Sequence, residues 1–242
     1  MLLAHAVGCE RTWLFTHSDE ELREVWWIHY GRYLHERMQG KPTQHITGVQ
    51  EFYGREFRVT PDVLIPRPET EHVIETALRL KAGRIVDIGT GSGAIAVTLA
   101  LETGANVFGT DISPAALRVA AANALGSKVQ WLACDLGSAL SGGFDLVVSN
   151  PPYVAARDKS TLQREVRDYE PEVALYGGDD GLDMYRRLVP EAERLLAPDG
   201  WLVMELSHTS GEAVSGMLGA WRNVEIRKDL ANLPRVILAQ RP

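Results

Sequence analysis

A seven-residue stretch, lying between an apolar run and a helical segment, constrains this chain more than any other feature of its sequence. It reads Asp-Ile-Gly-Thr-Gly-Ser-Gly and occupies positions 87–93. Three glycines at alternate positions allow the backbone to turn tightly and let a ligand approach it. The helix that follows would add free amide N–H groups and a partial positive charge. The loop therefore predicts a ligand-binding turn in an α/β fold.

Around and beyond this loop, short apolar strands alternate with helices. Strands are predicted at 85–88, 106–111, 129–132, 144–149, 201–205, 223–228 and 235–240. Helices are predicted at 93–102, 114–125 (capped by Ser113), 182–196 and 209–219. The alternation predicts a seven-stranded, doubly wound, mostly parallel sheet. The last two strands leave no room for a crossover helix, so we expect a C-terminal antiparallel hairpin.

The residues before the sheet divide into two further parts. Residues 1–42 predict a small N-terminal helical domain, in which Ser18 caps a helix that runs to about Gln39. Its aromatic side chains could dock a protein substrate, although we expect them to form the core of that domain (Trp26, Trp27, Tyr30 and Tyr33). Residues 43–60 change to a two-residue period and predict a β-hairpin linker, and 61–242 form the larger domain.

The glycine loop alone leaves the ligand open. Gly89, Gly91 and Ala94 also satisfy a dinucleotide-binding pattern, and a tight turn that binds nothing has the same appearance. Asp87 suits an amino-acid ammonium group better than a pyrophosphate, which favours a methyl-donor nucleoside. Asp111 ends the next strand, where a carboxylate can accept hydrogen bonds from two ribose hydroxyls. The loop and Asp111 together resemble the cofactor site of class I S-adenosylmethionine-dependent methyltransferases.

A second motif, Asn-Pro-Pro-Tyr at positions 150–153, follows the strand at 144–149. Its prolines remove two backbone donors, so the Asn150 side-chain oxygen and the Pro151 carbonyl remain as acceptors for a planar NH₂ group. Tyr153 offers a flat face for stacking. Asn-Pro is also a common start of a turn. The motif is more informative when paired with the glycine loop, since both follow strands at one edge of the sheet.

Composition and charge exclude several classes of protein. The chain has 25 Lys and Arg against 32 Asp and Glu, a net charge of −7, which is opposite to that of proteins that neutralise phosphates. No apolar run approaches the roughly 20 residues of a membrane-spanning helix. Two cysteines and seven scattered histidines form no metal-binding pattern. We expect a cytoplasmic protein with no metal, no membrane contact and no direct nucleic-acid partner.

The stretch Val-Leu-Ile-Pro-Arg-Pro-Glu-Thr-Glu at 63–71 is the most specific motif. Together with the glycine loop, Asp111 and the tetrapeptide, it resembles the HemK/PrmC family of N5-glutamine methyltransferases, which act on peptide chain release factors. Further matching stretches lie at 44–54, 170–182 and 229–236, so the resemblance covers essentially the whole chain. The chain departs from the family pattern at Leu136, Ser207, Ser210 and Asn232.

The resemblance implies a reaction and a set of residues. A methyl group would pass from S-adenosylmethionine, leaving S-adenosylhomocysteine, to the glutamine of a GGQ motif in a release factor. The implied cofactor contacts are Gly89, Thr90, Gly91, Ser92, Gly93, Asp111, Asp135 and Leu136. The implied substrate contacts are Asn150, Pro151, Pro152 and Tyr153, of which Asn150, Pro151 and Tyr153 would be catalytic. Arg67 and Glu69 would either shape the mouth of the site or tie the connecting segment to the sheet.

Two other substrates fit the same motifs. A ribosomal-protein glutamine carries the same planar amide, and the exocyclic amine of adenine in DNA is a related group, although the negative charge disfavours DNA. We expect a monomer. The opening Met1–His5 resembles the interior of a helix in the family's N-terminal domain, so we expect that part of that domain precedes Met1.

Overall fold

The fold, described for residues 1–124 and 126–242 of a computed structural model, is centred on a mixed sheet. Within these residues the sheet has seven strands in the order β5-β4-β3-β6-β7-β9-β8, and a separate hairpin pairs β1 with β2. The strands are β1 (Val49–Phe52), β2 (Arg55–Arg58), β3 (Arg84–Ile88), β4 (Asn106–Asp111), β5 (Gln130–Ala133), β6 (Phe144–Ser149), β7 (Leu196–Glu205), β8 (Arg222–Lys228) and β9 (Pro234–Gln240).

Strand direction matches the sequence-based expectation. β5, β4, β3, β6 and β7 run parallel to one another. β9 is antiparallel to both β7 and β8. The prediction of a doubly wound, mostly parallel sheet that ends in an antiparallel hairpin is therefore confirmed.

The described residues form helices before the hairpin and on both faces of the sheet. They are α1 (Leu2–Val7), α2 (Arg11–Thr16), α3 (Glu24–Met38), α4 (Thr43–Thr47), α5 (Glu71–Leu78), α6 (Ala94–Thr103), α7 (Pro114–Asn123), α8 (Arg164–Tyr169), α9 (Asp183–Leu195) and α10 (Gly211–Met217). Short 3₁₀ turns occur at Pro68–Thr70, Ala156–Thr161 and Glu172–Ala174. The helix predicted at 114–125 ends at Asn123, and Leu125 lies outside the described residues. The strand predicted at 201–205 begins earlier, at Leu196.

The core consists of two layers, one on each face of the sheet, because successive side chains of a strand point to opposite faces. Val86, Val147 and Leu202 are fully buried and pack on the side that holds α9 and α10. Their neighbours in sequence face the opposite layer with α5 and α6 (Ile85, Leu146 and Val203). Because both faces are covered, the central strands carry apolar side chains on both faces, as a buried parallel sheet requires.

The β-hairpin lies within the predicted linker, but it is shorter than 43–60. Residues 43–47 form α4, and the two strands occupy 49–52 and 55–58. Tyr53 and Gly54 both have positive φ values, 50° and 69°, which is the conformation of a tight hairpin turn. Phe52 and Phe57 are buried in the same core layer as α5 and α6. The hairpin therefore packs onto the sheet and contributes side chains to its core.

The N-terminal helices differ from expectation in two respects. Ser18 lies in a turn and caps no helix, since α3 begins at Glu24 after Arg23. No residue of α3 is buried, and 56% of Trp27 is exposed. The expectation that the aromatic residues form a buried core is therefore wrong. Within the ranges described, no helix combines the length and the apolar character that crossing a bilayer requires.

Gly109 of β4 provides a test of the packing beneath the site. A Cβ atom there would lie 2.4 Å from Cζ3 of Trp131 on β5, closer than two carbons can pack. We expect Gly109→Ala to lower the free energy of unfolding by about 1–3 kcal/mol, as other overpacked cores do. Gly216→Ala is the matched control, because a Cβ in that helix meets no atom within 4 Å and alanine favours helices. Urea denaturation of both variants checks this, and equal stabilities would contradict it.

Candidate functional site

A cavity of about 270 Å³ lies at the carboxyl ends of β3, β4 and β6. The chain crosses from β3 to β4 on one side and places β6 on the other, so this is the point at which strand order reverses and ligands bind in open α/β sheets. The cavity brings together most of the predicted site residues, namely Gly89, Thr90, Gly91, Ser92, Asp111, Asp135, Leu136, Asn150, Pro151 and Pro152. Gly93 and Tyr153 do not line it.

The glycine loop turns toward the cavity at Gly89 and Gly91. Both have positive φ values, 73° and 54°, and a Cβ atom at either position would meet nothing within 4 Å. Gly93 has a different role, because a Cβ there would lie 3.0 Å from the Trp131 ring and 3.1 Å from Cβ of Ala120. Gly93 therefore packs against β5 and α7, and its contact with a cofactor stays a prediction. The two open glycines leave the space that a ligand close to the backbone needs.

Asp87 lies beneath the loop and outside the cavity lining. It is fully buried, and its Oδ2 accepts a hydrogen bond of 2.6 Å from Thr90 Oγ1. Its Oδ1 has no hydrogen-bond partner among the described residues. Burial raises the pKa of the Asp87 carboxyl to about 7. Asp87 therefore holds the loop through Thr90, and its interaction with an ammonium group stays a prediction.

The raised pKa of Asp87 predicts a stability change with pH. Between about pH 4 and pH 7 the unfolded chain has lost the proton that folded Asp87 keeps, so the free energy of unfolding falls as pH rises through this interval. Asp87→Asn removes this contribution. From pH 5 to pH 8, we expect the free energy of unfolding of the wild type to fall by roughly 2–3 kcal/mol more than that of the variant, at about 1.4 kcal/mol per pKa unit. Urea denaturation at both pH values measures it, and parallel losses in the two proteins would refute it.

Asp111 is held in place by two backbone donors. Its Oδ2 accepts from Gly91 N at 2.9 Å and its Oδ1 accepts from Ser113 N at 2.8 Å. Ser113 in turn caps α7 by accepting from Ala116 N at 3.2 Å, as predicted. Each carboxylate oxygen keeps further acceptor capacity. Asp111 is thus fixed at the cavity wall with its charge available to hydroxyl donors.

The turn after β5 forms another part of the cavity wall. Leu136 has a positive φ value of 51°, unusual for a leucine, and its side chain packs against the core layer that contains α9. Asp135 forms an exposed ion pair with Arg187 of α9. Both residues line the cavity, where Leu136 offers an apolar surface and Asp135 a charged group.

Asn150 follows β6 and faces the glycine loop across the cavity. Its Nδ2 donates to Oγ1 of Thr70 at 3.2 Å, and Thr70 Oγ1 donates to Oε2 of Glu205 at 2.6 Å. Pro151 and Pro152 contribute no N–H groups. The amide nitrogen of Asn150 is therefore hydrogen-bonded within the protein, and the amide oxygen Oδ1 lies at the other end of the same planar group.

Tyr153 does not line the cavity. Its hydroxyl donates to Oε1 of Glu205 at 3.3 Å, and burial near this carboxylate raises the pKa of the tyrosine. The residue lines a neighbouring groove together with Asp180 and His208. The stacking surface expected of Tyr153 is therefore not part of the cavity in this structure.

The sequence motif at 63–71 supplies ties between segments. Arg67 donates to Oε1 of Glu170, a buried carboxylate that also accepts from Ile65 N at 3.1 Å. Of the two roles considered for Arg67, the structure favours tying the connecting segment to the region after β6. Sequence reasoning missed Thr70 and Glu205 as parts of the site. A carboxylate at the end of the apolar run Leu-Val-Met-Glu was the available signal.

The residues present fit S-adenosylmethionine. The cavity provides two glycines without obstruction, a fixed carboxylate for ribose hydroxyls, and an apolar side chain at Leu136. Over the described ranges no group of His, Cys, Asp or Glu side chains could hold a metal ion.

Comparison with known proteins agrees with this geometry. Residues 1–48 match the model of the PrmC N-terminal domain, and residues 69–168 match that of the methyltransferase small domain. A release factor glutamine methyltransferase of Koribacter versatilis is 43% identical over 100% of this chain and 90% of its own length. One from Neisseria gonorrhoeae is also 43% identical, over 99% of this chain and 91% of its own.

A solved structure supports the fold alone. A methyltransferase from Pyrococcus furiosus superposes with a TM-score of 0.60 at 18% identity, covering 85% of this chain and 98% of its own.

Proposed function

The chain belongs to the family of release factor glutamine methyltransferases, and we propose that it transfers a methyl group from S-adenosylmethionine to the side-chain amide nitrogen (N5) of a glutamine in a peptide chain release factor. One observation carries the assignment of the site. The Asn150 amide donates its N–H to Thr70 in the same cavity as the open glycines and Asp111, so its oxygen remains for a substrate amide.

The proposed mechanism depends on positioning. Asn150 Oδ1 and the Pro151 carbonyl accept the two N–H groups of the substrate glutamine, which fixes the plane of its amide. Gly89, Gly91 and Asp111 hold the cofactor, which supplies an electrophilic methyl group on a sulfonium when bound. An amide nitrogen is a weak nucleophile because its lone pair is delocalised into the carbonyl. The oxygen dipoles of Asn150 and Pro151 therefore stabilise the positive charge that develops on it.

The proton leaves after the transfer. The nitrogen becomes acidic once it carries the methyl group and a positive charge, so water at the cavity mouth is a sufficient acceptor. The proposal assigns no general base. Tyr153 contributes through its hydrogen bond to Glu205, which anchors the end of the tetrapeptide.

The proposal includes a protein partner and a cellular setting. A net charge of −7 favours a protein substrate over nucleic acid. A release factor acts in translation, so the proposal places the enzyme in the cytoplasm. A monomer would suffice for the proposed reaction, because one chain supplies every residue assigned to it.

A labelled methyl donor tests the substrate. It is offered with the enzyme in parallel reactions to a release factor, to ribosomal proteins and to DNA. The proposal predicts label in the release factor. Label only in ribosomal protein would reassign the substrate within the glutamine methyltransferases, and label only in DNA would overturn the proposal.

A further inference from the structure

We propose that Thr70 and Glu205 are positioning residues that fix the orientation of the Asn150 side-chain amide, so that its oxygen faces the substrate glutamine. The inference rests on the proposed function, because it assigns the Asn150 oxygen to the substrate. Neither residue lies in the glycine loop or the tetrapeptide. They are brought to Asn150 from positions 80 residues before it and 55 residues after it in the chain.

Thr70 and Glu205 form a buried, fully connected pair. Thr70 ends the 3₁₀ turn before α5 and is 4% exposed, while Glu205 ends β7 and is 2% exposed. Their hydrogen bond is 2.6 Å long. Tyr185 of α9 donates to the backbone carbonyl of Glu205 at 2.9 Å, which fixes the end of the strand. The position of the Thr70 hydroxyl is therefore set by the fold.

The number of available protons determines which group donates in each of the hydrogen bonds that connect Asn150, Thr70 and Glu205. An ionised carboxylate only accepts, so the single hydroxyl proton of Thr70 is used on Glu205. Thr70 then offers Asn150 lone pairs alone, and the amide must present its N–H₂ side to them. The opposite orientation would face one oxygen with another and leave a polar contact unsatisfied. The correct orientation places Oδ1 on the cavity side.

Glu205 also fixes the last residue of the tetrapeptide. Its Oε1 accepts from the Tyr153 hydroxyl at 3.3 Å while its Oε2 accepts from Thr70. One carboxylate thus connects to both Asn150 and Tyr153. A shift of this carboxylate would move both ends of the substrate-binding turn.

Protonation of Glu205 would release the constraint. Burial raises the pKa of Glu205 to about 7, with Glu69 adding to the effect and Arg235 of β9 opposing it. The other titratable groups that face it are Tyr153 and Tyr185, whose pKa values burial also raises. A protonated Glu205 can donate to Thr70, whose own proton can then turn to Asn150 and stabilise the wrong amide orientation.

Three variants test the positioning role with saturating S-adenosylmethionine and a release factor as substrate. Thr70→Val keeps the shape and removes the hydroxyl, so we expect kcat to fall by about tenfold or more, the factor that one hydrogen bond supplies. The KM for each substrate should change by less than about threefold, because the variant loses the orientation of one acceptor while the cavity keeps its shape. Thr70→Ser should restore kcat to within about threefold of the wild type.

Glu205→Gln supplies a readout that a merely structural residue would not move. Its side-chain amide does not ionise, so we expect kcat to stay flat as pH increases through about 7, whereas the wild type should show a rise. Saturating cofactor separates this from any effect of Asp87 on the loop, which would appear in the cofactor KM. The matched control is Thr98→Val, a buried α6 hydroxyl with no hydrogen-bond partner among the described residues, which should leave kcat unchanged.

The outcomes separate the inference from the proposed function. A wild-type enzyme that does not methylate the release factor contradicts the proposed function. A wild-type enzyme that does, with Thr70→Val equally active or Thr70→Ser equally defective, overturns the inference. Should Glu205→Gln fail to fold, as its circular dichroism would reveal, the comparison of the two Thr70 variants decides alone.

Discussion

Asn150→Ala should reduce kcat for methyl transfer by on the order of 10²–10³-fold, which is the usual effect of removing one preorganised group that meets developing charge. In the proposed mechanism the side chain supplies one of the two oxygens that hold the substrate amide and stabilise the positive charge on its nitrogen. Thr70, which receives the Asn150 N–H, is anchored on Glu205, so the remaining cavity should keep its shape. The affinity for S-adenosylmethionine should therefore stay within a few-fold of the wild type.

Single-turnover kinetics and calorimetric titration with S-adenosylmethionine measure these two quantities separately. Asn106→Ala is a suitable control, because that exposed asparagine begins β4 at the opposite end of the strand and bonds only to Gln130 among the described side chains. Undiminished turnover of Asn150→Ala would show that the amide is not an essential acceptor. A parallel loss of cofactor affinity would point to collapse of the cavity.

Asp111→Ala should show the reverse pattern, with cofactor affinity as the quantity that falls. The proposed role of the carboxylate is to accept from ribose hydroxyls, and hydrogen bonds to a charged group contribute about 1.5–3 kcal/mol each. Its loss also frees Gly91 N and Ser113 N, so the glycine loop loses its anchor on β4. We expect the dissociation constant for S-adenosylmethionine to rise on the order of 10²-fold or more.

Isothermal titration with S-adenosylhomocysteine is a convenient measurement, since it needs no turnover. Asp19→Ala removes the same charge from an exposed turn of the N-terminal helices and should bind as the wild type does. An Asp111→Ala protein that is folded and binds with unchanged affinity would remove this residue from the cofactor site.

The parts of the site that sequence reasoning located are those that follow strands. Gly89, Asp111 and Asn150 each come directly after or at the end of an apolar run, and parallel strands bring such positions to one edge. The role of Thr70 and Glu205 could not be read in this way. They are 135 residues apart, and only the packing of α5 beside β7 and β9 brings their side chains together.

Other differences have local physical causes. Gly93 has the same spacing as the open glycines, but its position faces Trp131, which only the pairing of β4 with β5 reveals. Ser18 has the chemistry of a helix cap, yet the chain forms a turn there and the helix begins six residues later. The helix α3 packs mainly on the short helices α1 and α4, which offer too little surface to bury its aromatic run.

We propose that this cavity places a methyl group on a glutamine side chain of a release factor. Tandem mass spectrometry of the release factor after incubation with the enzyme and S-adenosylmethionine tests it most directly. We expect one added methyl group on the side-chain nitrogen of the glutamine in the GGQ motif, present with the wild type and nearly absent with Asn150→Ala. A methyl group on another residue, or equal modification by both enzymes, would contradict it.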